Sequence, residues 1–147
     1  MPDRALAVFL EALKKATREV PQDYFQLPVA GKEAPIYRER VYCYELYHRL
    51  RVALPADFHY SLAGEVDKRG HPIIRTPPLN RRKPDFLVHS AGNMKRNLLA
   101  VEVKPGIARS RDIKKDIETL LSCLDQPADY EYGMFLIYGG ASSRMAW

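Results

Sequence analysis

Two short apolar runs, one following Pro84 and Asp85 (FLVH) and the other ending at Lys104 (LLAVEVK), flank the segment SAGNMKRN, whose Gly92 and Asn93 are turn formers. Such runs on either side of a turn predict strands over 84–89 and 98–104 that close as a hairpin. Side chains alternate along a strand, so Leu98, Ala100, Glu102 and Lys104 should share one face, with Leu99, Val101 and Val103 on the other. If His89 faces Leu98, the antiparallel register sets Asp85 opposite Glu102, and two carboxylates and an ammonium converge. A tighter turn at Gly92 and Asn93 would move the pairing by about two residues.

The surrounding pattern predicts an α/β fold, a small mixed central sheet flanked by helices. Leu6, Phe9, Leu10, Leu13, Thr17 and Val20 follow the helical repeat, giving a first helix over 3–20 that Pro21 stops. Residues 21–35 carry three prolines and a glycine and read as an irregular connection. A second helix over 36–53 places Glu39, Cys43, Leu46, Tyr47 and Leu50 on one broad stripe, so the acid Glu39 points toward the core side. Phe58, Tyr60 and Leu62 alternate into Glu65 as a first strand ending near Lys68. After the hairpin, Ile113, Ile117, Leu120, Leu121 and Leu124 predict a third helix over 111–124 covering one face of the sheet. The near-continuous apolar run YGMFLIY (132–138) predicts a buried strand.

At 147 residues the chain has the size of one compact domain, with its core over about 36–140 and the first helix packed on it. Cys43 and Cys123 fall inside apolar helical patterns and are not spaced for zinc, so they read as small buried residues in a reducing compartment. The apolar start is interrupted by Glu11 and Lys14 and reads as no signal peptide, and no run approaches the roughly 18 apolar residues of a membrane span. A cytoplasmic protein is the expectation.

Two carboxylates held together repel each other, and a divalent cation between them is the simplest way to keep both ionised. An all-oxygen site suits magnesium or manganese, which retain waters and leave room for a phosphate oxygen and an attacking water. Lys104 would then orient that water or take its proton. On the spacing alone, a cross-strand salt bridge at a sheet edge is the simpler reading.

Pro84-Asp85 with Glu102-Val103-Lys104 beginning 17 positions after Asp85 resembles the PD-(D/E)XK signature of restriction-endonuclease-like folds. The wider pattern also looks like a group of compact prokaryotic members of that superfamily. That pattern comprises KPDFLVH, a polar loop, NLLAVEVKP, a helix containing DIKKDIETL, and a closing strand YGMFLIYG, and it covers roughly residues 36 to 140. The resemblance implies a restriction-endonuclease-like fold and magnesium-dependent hydrolysis of DNA or RNA phosphodiesters. Asp85, Glu102 and the backbone carbonyl of Val103 would be metal ligands, and Lys104 would serve the nucleophilic water. An acid on the preceding helix often completes such sites; Glu39 is preferred, with Glu45 and Glu65 as alternatives.

Lys and Arg outnumber Asp and Glu by 23 to 18, and Lys68, Arg69, Arg75, Arg81, Arg82 and Lys83 follow one another without an acidic residue between them. Taken alone, a charge run of this kind reads as a solvated loop. Beside a metal site it is a field suited to a phosphate backbone, which Lys95, Arg96, Arg109 and Arg111 would also contact. DNA is the expected partner, with no membrane involved. A homodimer is compatible with cutting both strands. The alternative is a catalytically inactive nucleic-acid-binding or adaptor protein of the same fold. A structural or partner-binding subunit whose basic loop meets an acidic protein is a further rival. His71, His89 and Tyr44 have no assigned role.

Overall fold

The computed structural model describes residues 3–64, 83–90, 96–139 and 145–146. Helix α1 (Arg4–Glu19) begins where the Asp3 side chain accepts a hydrogen bond from the Ala5 N–H at 3.0 Å. It buries Leu6, Phe9, Ala12, Leu13 and Ala16, the stripe set by its 3.6-residue repeat. A single 3₁₀ turn, Gln22–Tyr24, follows. Helix α2 spans Glu39–Ala53, three residues shorter at its start than the spacing predicts. Ile36 exchanges backbone hydrogen bonds with Leu27 instead, at 2.8 and 3.0 Å, and Arg38 is extended, so the helix cannot begin before Glu39.

The strands are β1 (Ser61–Gly64), β2 (Phe86–His89), β3 (Asn97–Pro105), β4 (Tyr132–Tyr138) and the two-residue β5 (Met145–Ala146). They lie in the sheet in sequence order, every neighbour antiparallel except the parallel pair β3 and β4. A parallel pair needs a crossover, and helix α3 (Ser110–Leu124) supplies it. The fold class is therefore α/β, as expected. β1 begins at Ser61, later than expected, its expected end near Lys68 lies outside the described residues, and β5 was not anticipated.

The hairpin register also matches the expectation, with one local change. Phe86 faces Val101, Leu87 faces Ala100 and Val88 faces Leu99, but His89 faces Asn97 because the pairing shifts between Val88 and His89. Leu98 is the extra residue of that bulge. It packs with Leu99 in the α1–α2 cluster and not with Ala100, a correction to strict alternation.

The core lies in two parts. Between the sheet and the α1–α2 pair, Phe9, Leu13, Leu46, Leu50, Val88, Val101 and Val103 are buried together. Each such aliphatic side chain contributes about 1.5–3 kcal/mol relative to exposure. At the end of this layer Tyr42 and Tyr138 stack with ring centroids 3.8 Å apart. On the other face Leu87 and Ala100 pack against Leu120 and Cys123 of α3. Both cysteines are buried and neither is in a disulfide. Gly139 ends β4 at φ +71°, where a Cβ would come within 2.8 Å of the Tyr37 ring.

The buried stripe of α3 runs through Asp116, Thr119, Leu120 and Cys123. Ile117 and Leu121, expected to cover the sheet, are 43% and 56% exposed. The helix is thus rotated from its most apolar stripe, and an acid is drawn into the protein. Among the described residues, no helix is long and apolar enough to cross a membrane.

Candidate functional site

Glu102 and Lys104 occupy the carboxyl half of β3, where the strand is buried on both faces. Asp85 lies one residue before β2, and its Oδ2 accepts a hydrogen bond from the Val103 N–H at 2.7 Å. This bond holds the carboxylate against the β3 backbone beyond the first paired residue of β2. The N–H and C=O of a strand residue point to the same edge, so the Val103 carbonyl faces Asp85's side of the strand. The Asp85 and Glu102 carboxyls lie close enough for each to shift the titration of the other. The sequence register therefore brings together the two acids it was expected to bring together.

Lys104 reaches past the strand end, its Nζ 3.1 Å from Glu39 Oε2 and 3.4 Å from Asp116 Oδ2. Glu39 comes from α2 and Asp116 from α3, so one ammonium links the helical layers on opposite faces of the sheet. At 3.4 Å the second pair is an electrostatic contact, and Asp116 Oδ2, buried, accepts no hydrogen bond among the described residues.

The electrostatics follow from four acids around one base. Burial pushes the Glu102 carboxyl far above the usual carboxylate range, and the charges of Asp85 and Asp116 push it further; Lys104 opposes them only in part. Burial also raises Asp85, less strongly, because the Val103 N–H favours its ionised form, while Glu39 adds to the rise. Asp116 is raised by burial against the pull of Lys104. Burial pulls Lys104 down, but Glu39 and Asp116 outweigh it and the ammonium is held above its ordinary range. At neutral pH Glu102 accordingly keeps its proton unless another positive charge replaces it.

Asp85 and Glu102 are the two carboxyls here that could hold a hard cation. Among the described residues, no three His, Cys, Asp or Glu side chains close into a ready-made cage. Magnesium characteristically takes one or two protein carboxylates and keeps several waters, and Asp85 and Glu102 are two such groups that Lys104 compensates only in part. The orphaned oxygen of Asp116 adds negative potential nearby.

The other expected residues divide. Glu39 lies at the site, whereas Glu45 is engaged along its own helix with Arg49 at 2.8 Å. Lys83, exposed, stands two residues before Asp85. Arg96 lies elsewhere. It precedes the opposite end of β3 and lines a separate cavity with Asp3, Arg4 and His59. The strand rise puts it roughly 20 Å along the chain from Glu102, so it does not join the acids. Arg109 and Arg111 are exposed at the start of α3, with Arg109 Nε 3.7 Å from Asp112 Oδ2. Glu65, Lys68, Arg69, His71, Arg75, Arg81, Arg82 and Lys95 lie outside the described residues.

Sequence reasoning missed Asp116. Its signal was present, since Asp116, Thr119, Leu120 and Cys123 share the spacing of one helix face, but the isoleucines and leucines of the neighbouring stripe outweighed it. A cleft of about 640 Å³ opens beside the acids, lined by Glu39, Arg40, Tyr44, Tyr47, Asp85 and Phe86 among others. No family model, curated protein or solved structure matches the chain.

Proposed function

We propose that this protein is a metal-dependent nuclease, an endonuclease-like hydrolase of DNA phosphodiester bonds, of the restriction-endonuclease-like PD-(D/E)XK type. The observation that carries the reading is the meeting of Asp85 and Glu102 beside Lys104, where β3 runs on beside β4 beyond the first paired residue of β2. Two carboxyls brought together away from water are costly as a structural device, and they are suited to holding a cation.

Asp85, Glu102 and the Val103 carbonyl would hold magnesium or manganese. Such an ion, when bound, lowers the pKa of water and offsets charge on a phosphate oxygen. Lys104, kept as an ammonium by Glu39 and Asp116, is a donor suited to orienting the attacking water or a non-bridging phosphate oxygen. Glu39 positions Lys104 from the α2 side. In the overall reaction the water oxygen bonds to phosphorus and gives up a proton to solvent, one P–O ester bond breaks, and the departing oxygen takes up a proton in turn. Lys83, Arg109 and Arg111 would meet the phosphate backbone without choosing a sequence.

The test is incubation of the purified protein with plasmid, single-stranded DNA and RNA in magnesium and then in EDTA. Cleavage in magnesium alone is expected, with Glu102→Ala and Lys104→Ala each slower by roughly a hundredfold or more. Cleavage that persists in EDTA, or that runs at the parent's rate in either variant, overturns the mechanism. Salt-sensitive DNA binding without cleavage by the intact protein would favour an inactive binding or adaptor protein instead.

A further inference from the structure

Tyr44 is 64% exposed and is the only aromatic among the large apolar side chains exposed in the described residues. It stands on the wall of the cleft that also contains Glu39 and Asp85. The opposite aromatic surface is already fixed. Tyr47 stacks on Phe86 with centroids 6.4 Å apart and donates its hydroxyl to the Leu62 carbonyl at 3.3 Å. Tyr44 makes no ring contact of that kind among the described residues. One turn earlier on α2 and on the same helix face is Arg40, which also lines the cleft.

We infer that this cleft binds an unpaired nucleobase of single-stranded DNA, stacked on Tyr44, with Arg40 beside the adjoining phosphate and the acids beyond it. This rests on the nuclease reading and names its substrate class. In a duplex both faces of each base are covered by neighbours, so a lone exposed ring can stack only on a base that is unpaired or turned out. The cleft volume is that of a small-ligand site. An arginine four residues from an aromatic on one helix face supplies the two features of single-strand binding, charge for the backbone and a π-face for the base.

The test uses Glu102→Gln protein, which should fold while not cleaving, in magnesium with a fluorescein-labelled thymidine 12-mer and with the corresponding duplex. Adding Tyr44→Ala should weaken single-strand binding by roughly tenfold to a hundredfold, the range of one base–aromatic stack. Tyr44→Phe, which keeps the ring, should bind like its parent, and duplex binding should not respond to either change. In a Tyr44→Trp protein, emission should be quenched when unlabelled single strand is added, beyond any change from Trp147 in the protein that retains Tyr44. Equal single-strand affinity in the Tyr44→Ala protein, or no added quenching in the Tyr44→Trp protein, overturns the inference. The two readings separate cleanly. A protein that cleaves but ignores Tyr44→Ala retains the hydrolase and loses the stacking site, whereas one that stacks bases but never cleaves does the reverse.

Discussion

Glu102 carries the electrostatic consequence of the site. Its pKa is raised in the folded chain, so from the ordinary carboxylate value of 4.5 upward the folded form holds a proton that the unfolded chain has released. Stability of the metal-free protein should therefore fall as pH rises above that value and go on falling through the raised one. Asp85 acts in the same direction over a shorter span, whereas the raised Lys104 contributes only at alkaline pH. Glutamine cannot ionise, so Glu102→Gln should flatten this slope and be more stable than the parent at pH 9 by about 1 kcal/mol or more. Urea unfolding between pH 5 and 9 measures both; parallel curves for parent and variant would refute the assignment. Asp85, Glu102, Lys104 and Glu39 were legible in the sequence because strand alternation and helix spacing place them with few assumptions. Asp116 was not, because one charged residue on a helix is ordinarily solvated and nothing local marks it as buried.

At the scale of elements, α3 shows how far periodicity reaches. The length and position of the helix followed from its repeat, but its rotation did not, because two overlapping stripes compete and tertiary packing chose the less apolar one. This has a direct consequence for mutation. Ile117→Lys should change stability by no more than about 0.5 kcal/mol, since the side chain already faces solvent, while Leu120→Ala should cost about 2–5 kcal/mol. Thermal or urea denaturation of the two variants decides it, and the reverse order would mean that α3 packs on its isoleucine stripe. The start of α2 was misjudged for a related reason. Ile36 is a sound helix residue, but its two backbone hydrogen bonds with Leu27 offer a competing arrangement that no spacing rule registers. β5 is two residues long and carries no pattern to detect.

For the whole molecule, the sheet order and the single parallel pair follow from a hairpin, a crossover helix and a closing strand, so the architecture was largely implied by element order. Net charge of +5 sets a further expectation. The logarithm of DNA affinity should decline linearly with the logarithm of salt concentration, and replacing Arg81 and Arg82 together by alanine should reduce the slope by about 1 for each phosphate left without its arginine. Affinity titrations from low to moderate salt measure this, and an unchanged slope would remove those arginines from the interface. The bulge at Leu98 has an effect on the molecule's tolerance to change. It takes up the mismatch in the hairpin at the end remote from the acids, while the pairs from Val88 and Leu99 onward keep their register. A residue added to or removed from the connecting turn can thus be absorbed before it reaches Asp85 and Glu102, leaving that turn open to grafted loops or peptide tags.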